Sequence, residues 1–415
     1  MNIWKISIQN IKSKPLYSLL SIFLLSLSIA LLFGIQQLKI SFKHQMENNL
    51  GDIDLVVGAK GSPLQLVLSS ILHLDNPTGN IPYKEAKNLV KNPMIERATP
   101  ISYGDNYKGF RIIGSTPIFL DHYNAEIKKG DSIQKSMEVL LGYSVAEKLK
   151  LDIGDTFLSS HGLIDNEIDI HDKEFIVVGI LKATQKVIDK LIITKLESIW
   201  DVHNDEAHDD HNSHEINHDD DDHDDDYDDD DDDDRKITSL LITFRTPSAL
   251  LTLPRKINEK TNMQAALPKY ELDKLYKFTG IGFKTISWIA YIILFISGIT
   301  IFISLYRMIK ERAFDLAILR TYGATNTQMI KMVTYEGLII VFFAFIIALL
   351  ITKIGLYFIF SFAEIGNGSN ILQTLPFSEL TKIIRLVFLM IILSVSTAIY
   401  PILKMNISTI LNNEN

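Results

Sequence analysis

The residues with the clearest capacity for chemistry lie in one short segment, from His203 to Asp234. This segment holds 19 acidic residues and 6 of the chain's 11 histidines, namely His203, His208, His211, His214, His218 and His223. Imidazole favours zinc, copper or nickel, and the short gaps between these histidines let neighbouring rings reach one ion. No packed core holds so many like charges, so we expect a solvated, disordered loop. The segment therefore predicts several weak sites for zinc or other divalent cations.

Two alternatives to this metal-binding loop stay open. The loop could be a low-complexity expansion without function. A metal could instead be bound by His161 and His171, which share a segment with acidic residues at Asp165, Glu167, Asp169 and Asp172.

The loop also hides the charge of the rest of the chain. The formal net charge is −9, from 41 basic and 50 acidic residues, and without the 19 acidic residues of the loop it becomes 41 minus 31, or +10. A basic remainder suits a protein at an anionic membrane surface and does not indicate nucleic-acid binding. Cysteine is absent, which excludes disulfides, thiolate zinc sites and cysteine nucleophiles.

No catalytic motif is present, and we predict no catalytic residue and no cofactor used in catalysis. The chain lacks G-x-S-x-G, H-E-x-x-H and the phosphate-binding G-x-x-x-x-G-K-[ST] pattern. We therefore expect no enzyme activity in this chain, and any ATP must be bound by another chain.

Four apolar stretches are long enough to cross a bilayer, which takes about 20 helical residues. They are Leu16 to Leu38, Ile286 to Tyr306, Gly337 to Phe360 and Ile383 to Leu403. Lysine and arginine concentrate before the first stretch and between the second and third, which predicts that both termini are cytoplasmic. The predicted organisation is an interfacial helix and first membrane helix (1–38), an extracytoplasmic domain (39–283) with the loop at 203–234, and three further membrane helices (284–415).

The extracytoplasmic domain reads as α+β. Runs rich in Val, Ile and Phe predict strands at Ile53 to Val57, Phe110 to Ile113, Phe175 to Ile180, Leu191 to Thr194 and Leu240 to Phe244. Ser62 and Pro63 begin a predicted helix that is apolar almost all round and reaches about Leu74. The predicted fold class is thus an α-helical membrane protein with four transmembrane helices and a large α+β extracytoplasmic domain between helices 1 and 2.

A charged, amphipathic helix follows the second membrane helix within residues 307–324. Phe314, Ile318 and Tyr322 recur at i, i+4 and i+8, which gives an apolar stripe that a solvated connector does not need. Gly323 suits the left-handed position that ends a helix, and Thr325 with Gln328 forms the pattern of a capping box. The stripe predicts a partner protein in the cytoplasm.

The segment from Glu311 to Ala324 resembles the E-R-x-x-E-I-G-x-L-R-A-x-G-A pattern of FtsX-like, MacB-type ABC transporter permeases. Glu336 with Gly337, and the stretch from Gly142 to Thr156, are similar to further parts of that family. The phrase from Asp54 to Gly61 resembles a subgroup associated with zinc acquisition. The family's usual proline near position 408 is absent here.

The resemblance implies a permease in the bacterial cytoplasmic membrane that works as a homodimer or heterodimer with a separate ABC ATPase. By this resemblance the ATPase contact comprises Glu311, Arg312, Phe314, Asp315, Ile318, Arg320, Tyr322 and Gly323. Such permeases transmit ATP-driven movement to their outside domains, with membrane lipid around them and, for some, a periplasmic metal-binding or outer-membrane partner. The loop favours a link to zinc handling. The alternatives are a non-transporting regulator of a cell-wall hydrolase, and a lipoprotein or peptide export permease whose loop has no function.

Overall fold

The computed structural model describes residues 3–13, 15–160, 170–209, 235–362 and 375–403. The predicted loop, apart from the backbone of its first residues, lies outside these ranges, as do His161 and the terminal segment after Leu403. Twelve α-helices lie in the described ranges: α1 (Ile3–Ser13), α2 (Pro15–Asn48), α3 (Pro63–Leu72), α4 (Tyr83–Val90), α5 (Ile118–His122), α6 (Tyr143–Leu149), α7 (Leu196–Asp209), α8 (Ala249–Lys260), α9 (Pro268–Glu311), α10 (Ala313–Thr321), α11 (Asn326–Phe362) and α12 (Phe377–Leu403).

Twelve strands lie in the same ranges, all of them between the first and second long apolar helices. They are β1 (Leu55–Ala59), β2 (Ile81–Pro82), β3 (Ile95–Tyr107), β4 (Phe110–Ser115), β5 (Ile127–Gly130), β6 (Glu138–Leu141), β7 (Thr156–Ser160), β8 (Ile170–Leu181), β9 (Leu191–Lys195), β10 (Lys236–Ile237), β11 (Ser239–Phe244) and β12 (Met263–Ala266).

The chain divides into two compact units. Unit 1 comprises residues 1–43 and 278–415, and unit 2 comprises residues 44–277. Four helices, α2, α9, α11 and α12, are long and apolar enough to cross a membrane. They contain the four predicted spans, so the predicted fold class, four membrane helices with an α+β domain between the first two, is confirmed.

The helices of unit 1 pack through small residues as well as branched ones. Ser394 Oγ donates a 3.0 Å hydrogen bond to the carbonyl of Gly298, and Ser297 Oγ donates to the carbonyl of Leu24 at 3.2 Å. Small residues let membrane helices approach closely, and short hydroxyl side chains bond across the contact. α1 packs beside α11, where Trp4 meets Tyr335 edge-to-face with ring centroids 5.6 Å apart.

Unit 2 is built on a ten-stranded mixed sheet with helices on both faces, and β2 and β10 form a separate two-stranded antiparallel sheet. The strand order of the large sheet is β12-β1-β11-β3-β4-β9-β6-β8-β5, with β7 paired to β3 and β8, and among the described residues only β4–β9 and β6–β8 are parallel pairs. Along β1, Val56 joins the core beneath α3, while Leu55 and Val57 join the core beneath α8. This alternation explains why the strands read as continuous apolar runs, since both faces are buried.

The predicted helix after Ser62 is present as α3 and is buried in the core of unit 2. Ser62 caps its first turn by accepting a hydrogen bond from the backbone N–H of Gln65 at 3.4 Å. The helix ends two residues before the predicted Leu74, because His73 adopts a left-handed conformation with φ of 52°. Leu66, Val67 and Ile71 are fully buried, so the apolar side chains of α3 pack in the core of unit 2.

Candidate functional site

The helix predicted to contact an ATPase is a separate nine-residue element, α10. The long helix α9 ends at Glu311, and α10 begins directly after Arg312. At its other end Ala324 N–H donates to the carbonyl of Leu319 at 3.0 Å, and Gly323 N–H donates to that of Arg320 at 3.1 Å. These are the two hydrogen bonds of a Schellman motif, and Gly323 supplies the positive φ, 93°, that this motif needs.

The capping box that begins α11 is also present. Thr325 N–H donates to Gln328 Oε1 at 3.0 Å, and Gln328 N–H donates to Thr325 Oγ1 at 3.4 Å. The two motifs together satisfy polar groups that helix ends leave free, so they fix the turn between α10 and α11. A fixed turn holds α10 as a defined surface feature rather than a loose connector.

The two faces of α10 differ in burial. Leu316 and Ala317 are 2% and 0% exposed and belong to the core of unit 1, and Leu319 packs against that core. Phe314 is 37% exposed and Tyr322 is 86% exposed, while Ile318 is half-buried. The core thus uses one apolar face of α10 and leaves a second, aromatic one uncovered.

The other predicted ATPase-contact residues lie in α10 or directly beside it in the chain. Glu311 is exposed and Arg312 and Arg320 are half-buried. Asp315 is on the backbone of α10, and its side chain lies outside the described part of the structure. The role of this set in binding an ATPase stays a prediction.

The predicted metal ligands fall almost entirely outside the described residues. His203 and His208 lie on the backbone of the last turns of α7, and their side chains are not among those described. His211, His214, His218 and His223 lie outside the described residues, as does His161, and the side chain of His171 is also undescribed. Within the described ranges, no group of three or more histidine, aspartate or glutamate side chains is placed to hold a metal ion.

Sequence reasoning missed a hydrogen-bonded series in unit 2 that joins Thr99, His122 and Asp52. Thr99 Oγ1 lies 2.8 Å from His122 Nε2, and His122 Nδ1 contacts Asp52 Oδ1. The other carboxylate oxygen of Asp52 accepts from the Arg97 guanidinium. These residues are far apart in sequence, and no local motif could have indicated the arrangement.

Thr99, His122 and Asp52 have the residue types of a catalytic nucleophile, base and acid. Because Thr99 and His122 are buried, we interpret their role as structural. Thr99 is fully buried in β3 and the His122 side chain is also fully buried, so no substrate reaches the hydroxyl. A nucleophile must meet its substrate at about 3 Å. We interpret the series as a clamp that holds Asp52, and we call Thr99, His122, Asp52 and Arg97 the Asp52 clamp.

The clamp fastens the segment that leads from α2 into the sheet, residues 44–54, here called the entry segment. Gln45 Nε2 donates to the carbonyl of Gln185 at 2.9 Å, and Asn49 Oδ1 accepts from the N–H of Val187 at 2.9 Å. Asp54 Oδ2 accepts from the N–H of Phe244 at 2.8 Å. Together with the clamp, these bonds tie the entry segment to several elements of unit 2.

A polar cavity of about 740 Å³ lies beside the clamp within unit 2. Its lining includes Glu47, Asp121, Glu126, Arg97 and Lys186. Lys186 Nζ donates to the carbonyl of Tyr123 at 2.9 Å, and partial burial lowers the pKa of this amine. With charges of both signs and little apolar wall, the cavity suits a polar, hydrated environment around the entry segment.

Removing the Asp52 carboxylate should destabilise unit 2. In Asp52→Ala, His122 Nδ1 and the Arg97 guanidinium lose their acceptor, which should lower the free energy of unfolding by roughly 1–3 kcal/mol. The measurement is the urea midpoint of the full chain in detergent, followed by fluorescence of Trp200, which lies in unit 2.

Asp121→Ala is the matched control for this prediction. Asp121 lines the same cavity and is exposed. Its substitution should change the free energy of unfolding by no more than about 0.5 kcal/mol. Equal midpoint shifts in the two variants would contradict the clamp interpretation.

Comparison with known proteins identifies two family models along the chain. The MacB-like periplasmic core domain matches residues 18–216, and the FtsX-like permease C-terminal domain matches residues 287–410. A search of curated proteins gave no match.

Two solved structures match about half of this chain at low identity. The periplasmic region of MacB from Actinobacillus actinomycetemcomitans is 10% identical, with a TM-score of 0.34, over 55% of this chain and 97% of that one. The extracellular domain of the noncanonic ABC-type transporter YknZ from Gram-positive bacteria is 11% identical, with a TM-score of 0.31, over 51% of this chain and 98% of that one.

Proposed function

Since this chain belongs to the family of FtsX-like, MacB-type ABC permeases, we propose that it transmits ATP-driven movement to its extracytoplasmic domain. Permeases of this family partner with an ABC ATPase, and in our proposal that ATPase is a separate subunit that docks on α10. The permease works as a homodimer or as a heterodimer with a second permease.

The observation that carries this proposal is the division of α10 into two apolar faces. Leu316 and Ala317 are buried in unit 1, whereas Phe314 and Tyr322 keep 37% and 86% of their surface exposed. Exposed aromatic side chains on a rigid element are typical anchors of protein interfaces. A groove on an ATPase would cover this face.

The proposed orientation follows the distribution of basic residues. The protein lies in the inner membrane with unit 2 outside, and we infer that both termini and α10 face the cytoplasm. Arg307, Lys310 and Arg312 precede α10, and Lys331 follows it, whereas the connection between α11 and α12 has no basic excess. This orientation places α10 where a cytoplasmic ATPase can reach it.

The fastened entry segment supports a mechanical role for unit 2. The carboxyl end of α2 is bonded to residues of unit 2 through Gln45 and Asn49, and the Asp52 clamp follows at once. A displacement of this end of α2 therefore acts on β3 and α5 through side-chain hydrogen bonds. Such a connection suits transmission of movement better than a loose linker would.

Site-specific cross-linking tests the proposed docking. The chain has no cysteine, so Tyr322→Cys introduces a single thiol on the uncovered face of α10. After treatment of membranes with a short photoactivatable maleimide, this position should cross-link to an ABC ATPase.

Leu251→Cys is the matched control for the cross-link. Leu251 is 83% exposed, similar to Tyr322, but lies in unit 2. The proposal expects no ATPase adduct at this position. An ATPase adduct at Leu251→Cys, or none at Tyr322→Cys in membranes that contain the ATPase, would overturn the proposed docking and orientation.

We also propose that the system handles a transition metal, with zinc as the first candidate, through the loop from His203 to Asp234. The support is the density of imidazoles and carboxylates, since Asp219 to Asp234 alone has 14 aspartates in 16 positions. A segment of this composition attracts cations and offers many imidazole and carboxylate ligands, so we expect several weak sites. A periplasmic metal-binding partner would then exchange zinc with the loop.

Replacing the six loop histidines with glutamine should abolish most zinc binding to the full chain. The matched variant, which deletes residues 210–234, tests the carboxylates as well as the imidazoles. Ligation needs neutral imidazole, so wild-type zinc binding should weaken as the pH falls below the histidine pKa. That pKa is about 6.5 for an unperturbed histidine, and nearby carboxylates should raise it somewhat. Isothermal titration calorimetry measures both effects, and undiminished zinc binding in the glutamine variant would place the site elsewhere.

A further inference from the structure

One face of α9 carries large apolar side chains that stay exposed along much of the helix. Six of them recur at gaps of three and four residues, with Thr285 at the one remaining position: Phe278, Ile281, Trp288, Ile292, Phe295 and Ile299. We call these seven residues the α9 seam. Their spacing is that of the a and d positions of a coiled coil. We propose that the α9 seam pairs with the same seam of a second copy of this chain, which rests on the dimeric permease proposed above.

The face of α9 opposite the seam packs within unit 1. Ala290, Ser297 and Ser304 follow one another at intervals of seven residues, and all three are buried. They occupy the f position of the same heptads, which lies across the helix from a and d. Ser297 Oγ also donates to the carbonyl of Leu24 in α2. The chain's own bundle thus uses the f side of α9, and the seam is left open to a partner.

The α9 seam extends beyond the part of the helix that lipid can cover. The predicted membrane span begins at Ile286, and Trp288 and Tyr291 near its start are residue types that concentrate at a membrane surface. Phe278, 75% exposed, lies about 12 Å before this start along the helix, and Ile281, 64% exposed, lies about 8 Å before it. The headgroup layer is only about 5–7 Å thick on each side. In water, a stripe of large apolar side chains indicates a protein contact.

The charges beside the seam permit pairing between identical helices. Two copies in one membrane have the same orientation, so their α9 helices run parallel and each seam residue meets the same residue of the second copy. Lys277 and Lys284, both exposed, occupy g positions. In a parallel pair a g residue faces the e residue five positions later in the partner, here Gly282 and Ile289, so no lysine meets a like charge. A Cβ at Gly282 would meet no atom within 4 Å, which leaves room for a lysine stem.

The seven-residue repeat also sets the geometry of the pair. A straight α-helix drifts by about 20° per heptad from a strict repeat of this length, so the seam stays in contact only if the two helices supercoil with a left hand. From Phe278 to Ile299 the contact is roughly 30 Å long. We therefore expect a parallel, left-handed pair of α9 helices that begins outside the membrane and continues into it.

Disulfide cross-linking along α9 tests the proposal with the full chain in native membranes. The chain has no cysteine, so Phe278→Cys, Ile281→Cys and Thr285→Cys each introduce a single thiol in the seam. Two differently tagged copies are expressed together, and the membranes are oxidised with copper phenanthroline. Because a disulfide needs Cα atoms within about 7 Å, each seam variant should give about tenfold more linked dimer carrying both tags than a control position does.

Gly280→Cys and Phe377→Cys are the matched controls. Gly280 lies on the same turn of α9 but off the seam, and Phe377, 78% exposed, begins α12. Equal linking at seam and control positions, or no linked dimer at any seam position, would contradict the proposal. A seam cysteine that links to a different protein would replace the second copy with another permease and overturn it as well. The ATPase adduct at Tyr322→Cys is measured separately, so the seam and the proposed docking fail independently.

Discussion

Replacing Phe314 and Ile318 together with alanine should abolish co-purification of the ABC ATPase while the permease still inserts into the membrane. Buried interface anchors are often worth ~2 kcal/mol or more each, so losing two should weaken binding by about a thousandfold. Phe314 is 37% exposed and Ile318 is half-buried, so each side chain has a part that packs within unit 1 and a part that is open to a partner. The measurement is the amount of ATPase and of ATP hydrolysis recovered with the tagged permease.

Two control variants separate docking from folding. Thr327→Ala changes an exposed residue at the start of α11 and should leave ATPase recovery unchanged. Leu316→Ala removes a side chain that is 2% exposed in the core of unit 1, which should lower thermal stability while the folded fraction keeps the ATPase. If the double variant instead loses stability and retains the ATPase, the stripe is core packing.

The membrane helices could be predicted from the sequence because hydropathy responds directly to the bilayer. The observed helices extend beyond the predicted spans, since α2 continues to Asn48 and α9 begins at Pro268. Polar residues can continue a helix into water, and hydropathy does not detect that continuation. The end of α10 could be predicted more sharply, because Gly323, Thr325 and Gln328 act through local hydrogen bonds.

The arrangement of unit 2 could not be predicted, because it depends on contacts between distant residues. β3 contains Pro100 and polar residues and does not read as a strand, yet it is the longest strand described, 13 residues, and lies between β11 and β4. The Asp52 clamp likewise joins residues 70 positions apart, from Asp52 to His122. Neither hydrophobic period nor turn chemistry carries information about such pairings.

Unit 2 should lose stability as the pH falls from about 7.5 to about 5, and His73 should account for most of the loss. Burial, with a further contribution from the Arg111 charge, lowers the pKa of His73 from 6.5 to about 3. Between these values the unfolded chain binds a proton that the native chain does not, so the free energy of unfolding decreases as the pH falls through this window. The expected decrease from about pH 7.5 to about pH 5 is about 2 kcal/mol.

The native environment of His73 explains why it stays neutral. Its Nδ1 lies 2.7 Å from the Tyr103 hydroxyl, and its Nε2 is buried without a hydrogen-bond partner among the described residues. A proton on Nε2 would place an unsolvated charge in the core beneath α3. The carboxylates of Glu138 and Asp152 have pKa values below their usual range, so they contribute to acid sensitivity only at lower pH.

His73→Asn should remove most of this pH dependence, because asparagine tolerates the left-handed backbone at this position and does not titrate. His44→Asn is the control, since His44 is a half-buried histidine near the end of α2, outside the core beneath α3, and it should leave the pH dependence unchanged. Urea midpoints followed by Trp200 fluorescence, in a chain with Trp4 and Trp288 replaced by phenylalanine, report on unit 2 alone. If His73→Asn unfolds with the same pH dependence as wild type, other groups carry it, and the core beneath α3 accommodates a charged imidazole.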